Sequence, residues 1–202
     1  MKETIANFLF LIAVLDPLGS VPVYLEATKE FLEEQKKSIA IRSSIIAFII
    51  LLFFIVLGQL IMDGMQISLD AFQISGGIIL FLFALTMIFG EGKPTREKDQ
   101  ITDYEHVIVF PIAIPSIASP GAIMAVVLMT DNHIYTLQEQ AITTLLVMVV
   151  VALTCGLLLV AKSVQSKIGD YGITIISKVM GLLLAAYATQ NILMGLKAFF
   201  TP

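Results

Sequence analysis

Three groups of residues have types and spacings that could do chemistry inside an otherwise apolar chain. They are Asp16-Pro17-Leu18-Gly19-Ser20, the run from Ser116 through Ser119-Pro120-Gly121, and the set Tyr187, Gln190 and Asn191. Asp-Pro and Ser-Pro are helix-start signals: the side-chain oxygen accepts from free N–H groups, and proline fits the first helical position, where its missing N–H costs nothing. Such a start exposes N–H donors and the positive end of the helix dipole, which suit a carboxylate. Tyr187, Gln190 and Asn191 are three and four apart, hence on one helical face. They could hydrogen-bond an amino group or a counter-ion, and interhelical hydrogen bonding is an equally good account. Of sixteen acidic residues, Asp16 alone lies away from loops and span ends. An ionisable group at that depth marks a pathway or coupling site, unless it serves only as a cap. Burial favours its neutral form and neighbouring N–H groups favour the charged one, so cap, substrate contact and proton carrier all stay open. For Ser119 the bland alternative is a simple kink.

These residues sit in segments that read as membrane spans. The chain has 202 residues, 57% hydrophobic and only 14% charged, with a mean hydropathy of +0.92, far more apolar than a soluble domain. Charge-free windows at 43–62, 71–90, 107–130 and 141–161 each reach the roughly 20 residues that cross hydrocarbon as a helix. The window 179–196 is slightly shorter, and 4–25 makes a sixth span once Asp16 is tolerated. The expected fold class is an all-α integral membrane protein of six transmembrane helices. Glu3, the Asp-Pro pair and the lack of a small-x-small cleavage site favour a mature first helix over a cleaved signal.

Ten basic residues (Lys29, Lys36, Lys37, Arg42, Lys93, Arg96, Lys98, Lys162, Lys167 and Lys178) fall in or beside the loops after spans one, three and five, and only Lys2 and Lys197 lie on the other side. That bias puts those loops in the cytoplasm and both termini outside. No basic stripe points to nucleic acid. His106 and His133 lie at span edges without a second ligand at metal spacing, so neither a metal nor a cofactor is expected. Asp16 has no acidic or histidine partner in the core and no serine has an evident base, so an enzyme is not expected either. Cys155 is alone and forms no intramolecular disulfide. The expected partners are the lipid bilayer and a small-molecule solute; the sequence leaves a homo-oligomer open.

The polar stretch EGKPTREKDQITDYEH divides one transmembrane domain, 1–202, into repeat 1 (about 1–90), a cytoplasmic linker (91–106) and repeat 2 (about 107–202). Three spans on each side mean the halves enter from opposite faces, so any likeness between them is an inverted repeat. GIILFLFALTMI from Gly77 can be laid over GLLLAAYATQNI from Gly181, matching the glycine, Leu80 with Leu184, Ala84 with Ala188, and the final isoleucine. DPLG begins twelve positions after Thr4, and SPG twelve after Val107. Twelve residues rise ~18 Å, about the middle of a ~30 Å hydrocarbon layer. Spans one and four are therefore expected as discontinuous helices, with Pro22, Pro111 and Pro115 loosening them further. Free backbone at that depth is tolerated only where protein buries it or a wet cavity meets it, so two facing breaks imply a central polar site. Ser75, Gly76, Gly77 and Gly181 are expected to permit close helix approach.

Four stretches together resemble the MarC family of bacterial inner-membrane proteins, closest to its YhgN-like members, a group also classed as the neutral amino acid transporter family within the lysine-exporter superfamily. They are DPLGSVPVYL at Asp16, ISLDAFQISGGIILFLFALTMIFG at Ile67, FPIAIPSIASPGAI at Phe110 and MGLLLAAYATQNILMGL at Met180, and the likeness covers nearly the whole chain. The resemblance implies six spans with both ends outside, and secondary transport of small neutral amino acids such as glycine or alanine, proton-linked. The alternatives carried beside it are export of another small solute or ion, and a non-transporting scaffold or sensor partner. Similar proteins usually have Gly at Ser119 and Asn at Ser20, and many have Asn at Asp16, which speaks against a carboxylate indispensable as a proton carrier. The expected binding mode sets a substrate carboxylate on half-helix N–H groups, with Asp16, Gln190 and Asn191 holding the amine.

Overall fold

The computed structural model describes residues 2–89 and 104–200, and every regular element among them is helical. In chain order these are α1 (Lys2–Leu15), α2 (Ser20–Ala27), α3 (Glu33–Gly64), α4 (Leu69–Phe89), α5 (Tyr104–Val107), an irregular coil (Ile108–Ile117), α6 (Pro120–Leu128), α7 (Leu137–Leu159) and α8 (Ala161–Phe200). The linker expected at 91–106 lies outside the described residues except for its last three, which open α5; Lys93, Arg96 and Lys98 lie outside as well.

Five segments are long and apolar enough to cross a membrane: Glu3–Ala27, Glu33–Gly64, Asp70–Phe89, Leu137–Leu159 and Tyr171–Phe200. The bent pair Tyr104–Ile117 and Pro120–Leu128 makes a sixth if its two parts are counted as one span. Their outer faces carry Leu9, Ile49, Leu82, Leu145 and Leu182, all exposed. An apolar exterior on every long helix is the surface of an integral, multi-pass membrane protein.

Local chemistry sets the ends of these helices. At the start of α7 the Thr136 hydroxyl accepts from Glu139 N–H at 3.4 Å, and Glu139 reaches back to Thr136 N–H at 2.8 Å, a reciprocal capping box. Leu32 cannot cap α3 itself, and the Gln35 side chain accepts its N–H instead, at 3.0 Å. With 32 residues, α3 is ~48 Å long and outruns the hydrocarbon layer, so its Glu- and Lys-rich first turns extend beyond it. Gly169, at φ 71°, interrupts α8 in a conformation other residues rarely adopt; the span proper begins at Tyr171.

Span one is the most enclosed of the five, with 61% of its most hydropathic window buried against 28–33% for the other four. Its first half, α1, packs on α6, α7 and α8, and its second half, α2, packs on the coil 108–117 as well as on α7 and α8. Around them α3 pairs with α7, and α4 with α8. The α4–α8 seam is built on missing side chains. A Cβ at Gly77 would lie 3.0 Å from the Ala188 carbonyl, one at Gly181 3.1 Å from that of Ala84, and one at Gly195 3.1 Å from that of Asp70. These glycines let two backbones approach closely, where dispersion has to replace the absent hydrophobic drive between helices in lipid.

Candidate functional site

At the middle of span one, Asp16 ends one helix and caps the next turn. Its N–H still donates to Ile12 O at 2.9 Å, but its φ of 44° turns the chain out of α1, a conformation that Asp and Asn tolerate better than other side-chain-bearing residues. Its carboxylate oxygen Oδ1 then accepts from Gly19 N–H at 3.0 Å and from the Ser177 hydroxyl at 3.4 Å. Gly19 has ordinary helical angles, so its role is steric: a Cβ there would sit 1.9 Å from Asp16 Oδ2. The helix restarts at Ser20, not directly after Asp16, and the residue before it makes no side-chain cap. Proline explains the delay. Pro22 has no N–H to offer Leu18 O, and Val21 N–H takes that carbonyl in a tight turn at 3.1 Å.

Span four breaks by related chemistry and bends more. Phe110 and Ile114, each preceding a proline, are extended (φ −126° and −128°), because the proline ring disfavours helical angles in the residue before it. The chain then turns at Ala118, and Ser119 opens α6 with its hydroxyl accepting Ala122 N–H at 3.0 Å and Pro120 at the first position. The two parts of span four meet at 55°. Both interruptions thus use an oxygen-bearing residue followed by proline, accepting the N–H three residues on.

The two interruptions touch. The Ser20 hydroxyl is shared between Asp16 O at 3.3 Å and Ser116 O at 3.4 Å, the latter across 96 positions of sequence. Asp16 is 3% exposed, and Ser20, Ser116 and Ser119 are each 1% exposed. Of the residues singled out from sequence, Asp16, Pro17, Gly19, Ser20 and Ser116 therefore converge, with Ser119 and Pro120 at the mouth of α6. Gly121 faces elsewhere: a Cβ there would meet Phe83 and Leu80 of α4 at 3.1 and 3.2 Å, so it serves helix packing.

The polar set on α8 divides. Asn191 is buried, and its side-chain oxygen lies 3.5 Å from Gln73 Nε2 of α4, which is the interhelical account. Tyr187 is 39% exposed and stacks on Phe10 with ring centroids 4.0 Å apart. Gln190 is exposed, beside Met194 Sδ at 4.0 Å. These positions do not put Gln190 in a shared amine site with Asp16, because residues 190 and 191 point to different sides of the helix.

Two buried groups escaped the sequence reading. Ser177 precedes the window 179–196 and was not singled out; only the crossing of α8 over span one brings it to Asp16. Asp131, beyond α6, is 1% exposed. Its Oδ1 accepts His133 N–H at 2.7 Å and lies 3.1 Å from His133 Nδ1, while its carbonyl accepts from Ile134 and Tyr135. Gln59 of α3 reaches the same imidazole at 3.2 Å. The Asp-Asn-His order suited a turn; nothing in it signalled burial. Among the described residues no group of three or more His, Cys, Asp or Glu is placed to hold a metal ion.

Comparison with known proteins finds relatives that are membrane proteins. The chain is 33% identical over 205 residues to a UPF0056 membrane protein of Pyrococcus horikoshii, covering 99% of both. It is 32% identical over 204 residues to UPF0056 membrane protein YvbG of Bacillus subtilis, covering 96% of this chain and 93% of that one. A UPF0056 membrane protein of Buchnera aphidicola from Baizongia pistaciae is 32% identical over 202 residues, with 99% of each covered. No solved structure matches. The family model described as MarC family integral membrane protein matches residues 1–200, and the chain belongs to that family.

Proposed function

We propose that the chain is a secondary transporter of small neutral amino acids, built from two inverted three-helix repeats whose discontinuous spans one and four form the solute site. The observation that carries this is the contact between the two interruptions, Ser20 against the Ser116 carbonyl beside Asp16, whose carboxylate caps the Gly19 N–H. The repeat draws support from the packing. Spans one and four, two and five, and three and six each pack on one another, and the contacts of span two on span four and span five on span one come as a swapped pair. That is the pattern expected from a pseudo-twofold axis in the membrane plane. A zwitterion would set its carboxylate at the start of α6, where Pro120 has no N–H and Ser119 already takes that of Ala122, so the Gly121 N–H is the remaining first-turn donor. Its amine would face Asp16. Rocking of one repeat against the other would alternate access, in the inner membrane of a bacterium with the lysine-rich end cytoplasmic and both termini outside.

A second reading, a non-transporting scaffold, is favoured by one feature: Asp16, Ser20, Ser116 and Ser119 are sealed from outside. A transporter in an occluded state looks the same, and flux separates the two. Purified protein in liposomes is expected to take up glycine or alanine above protein-free vesicles. An absence of flux across neutral amino acids, with and without a pH gradient, would refute amino acid transport.

A further inference from the structure

Where α2, α3, α7 and α8 meet at the lysine-rich end, a cavity of about 150 Å³ opens between Tyr24, Lys36, Lys37, Leu159, Val160 and Lys162. That is about ten times the ~10–15 Å³ one water needs. It lies where the apolar run of α7 stops: Leu159 and Val160 are 43% and 51% exposed, while the charged start of α3 begins at Glu33. Three ammonium groups and one carboxylate line the cavity. Glu33 Oε1 binds both Lys36, at 3.2 Å, and Lys162, and Lys37 makes no ion pair among the described residues. The side chain of Lys36 is only 13% exposed, so water does little to dissipate its charge. The first turns of α3 and α8 line the same cavity and add the positive ends of two helix dipoles. At the end of α7 the Gly156 and Leu158 carbonyls accept from Val160 N–H, and Val160 O accepts from Ser163 and Val164.

An excess of positive charge over a cavity floored by exposed aliphatic side chains fits a ligand with a phosphate at one end and hydrocarbon at the other. We propose that this cavity binds the headgroup phosphate of an anionic phospholipid, with Lys36, Lys37 and Lys162 around the phosphate and Leu159 and Val160 against its acyl chains. It is separate from the central site, since Tyr24 lies eight residues beyond Asp16, or ~12 Å along a helix.

The test is retention of phosphatidylglycerol by the detergent-purified chain, read by native mass spectrometry against phosphatidylcholine. The wild type is expected to retain one phosphatidylglycerol in preference to phosphatidylcholine. Lys37→Gln with Lys162→Gln weakens this about 25-fold, at about fivefold for each lysine facing an anionic headgroup. Lys29→Gln with Lys167→Gln, the same charge loss outside the cavity, leaves it within about twofold. Glu33→Gln, which removes the competing carboxylate, tightens it. Equal weakening by both lysine pairs, or equal retention of the two lipids by the wild type, overturns the site. Displacement of phosphatidylglycerol by an equal concentration of inorganic phosphate overturns the lipid assignment in favour of a free-phosphate site. Thermal unfolding of each variant shows that the exposed lysines leave the fold intact.

Discussion

Replacing Gly19 with alanine sets one methyl group against the hydrogen bond that shapes the break in span one. The new Cβ would stand 1.9 Å from Asp16 Oδ2 and 2.6 Å from its Cγ, far inside contact distance, so the carboxylate must rotate away. It then loses the Gly19 N–H at 3.0 Å and Ser177 at 3.4 Å. Loss of a side-chain cap costs about 0.5–2 kcal/mol, and a buried polar group stripped of a partner costs about 1–3 kcal/mol. The backbone of Gly19 is helical, with φ −67° and ψ −15°, so the glycine-to-alanine entropy change works the other way by about 0.4–1 kcal/mol. The net is a destabilisation of roughly 2 kcal/mol, or about 4–8 °C in a chain of this size. Thermal unfolding of purified protein measures it, and a double-mutant cycle isolates the cause. In an Asp16→Ala background the obstructing carboxylate is gone, and Gly19→Ala should be neutral or mildly stabilising. If Gly19→Ala costs as much there as in the wild type, or raises the wild-type Tm, the steric argument fails and the glycine serves some other purpose.

Asp16→Asn should unfold within about 0.5 kcal/mol of the wild type, since Asn caps as well as Asp and accepts a left-handed φ; in liposomes, survival of both flux and its pH response in this variant would rule out Asp16 as proton carrier. Two further glycines should respond oppositely. Gly156→Ala, with nothing within 4 Å of the new Cβ, should stabilise by about 0.5–1 kcal/mol, whereas Gly181→Leu, crowded by Met87 Cβ at 2.9 Å and the Ala84 carbonyl at 3.1 Å, should destabilise by about 1–3 kcal/mol; denaturation midpoints of the pair check this. For orientation, in a Cys155→Ser background, His133→Cys should react with an impermeant maleimide on intact cells and Glu30→Cys only after permeabilisation; the reverse pattern would invert the proposed topology.

The all-helical, multi-pass character of this chain was legible in the amino-acid order because it rests on short-range physics. Length and hydropathy mark a crossing, proline restrains the residue before it and removes a donor, and Asp or Ser followed by proline announces a helix start. Even so, the restart at Ser20 depended on how Pro22 redistributed the carbonyl of Leu18. What the order could not convey was rotation. A helix apolar all round carries little amphipathic signal to say which face turns inward, so Tyr187, Gln190 and Asn191 looked like one set until the α4–α8 seam took Asn191 to Gln73 and left Gln190 outside. The same is true of Ser177, 161 positions from Asp16 in the chain yet within hydrogen-bond reach of it, and of Asp131, whose burial follows from the elements packed over it. Composition and local backbone chemistry determined that this chain crosses a membrane and where α1 ends and α6 begins. Which polar groups meet at those breaks was decided only by how the helices cross, because in lipid the choice of facing side depends on shape complementarity and hydrogen-bond partners distant in the chain.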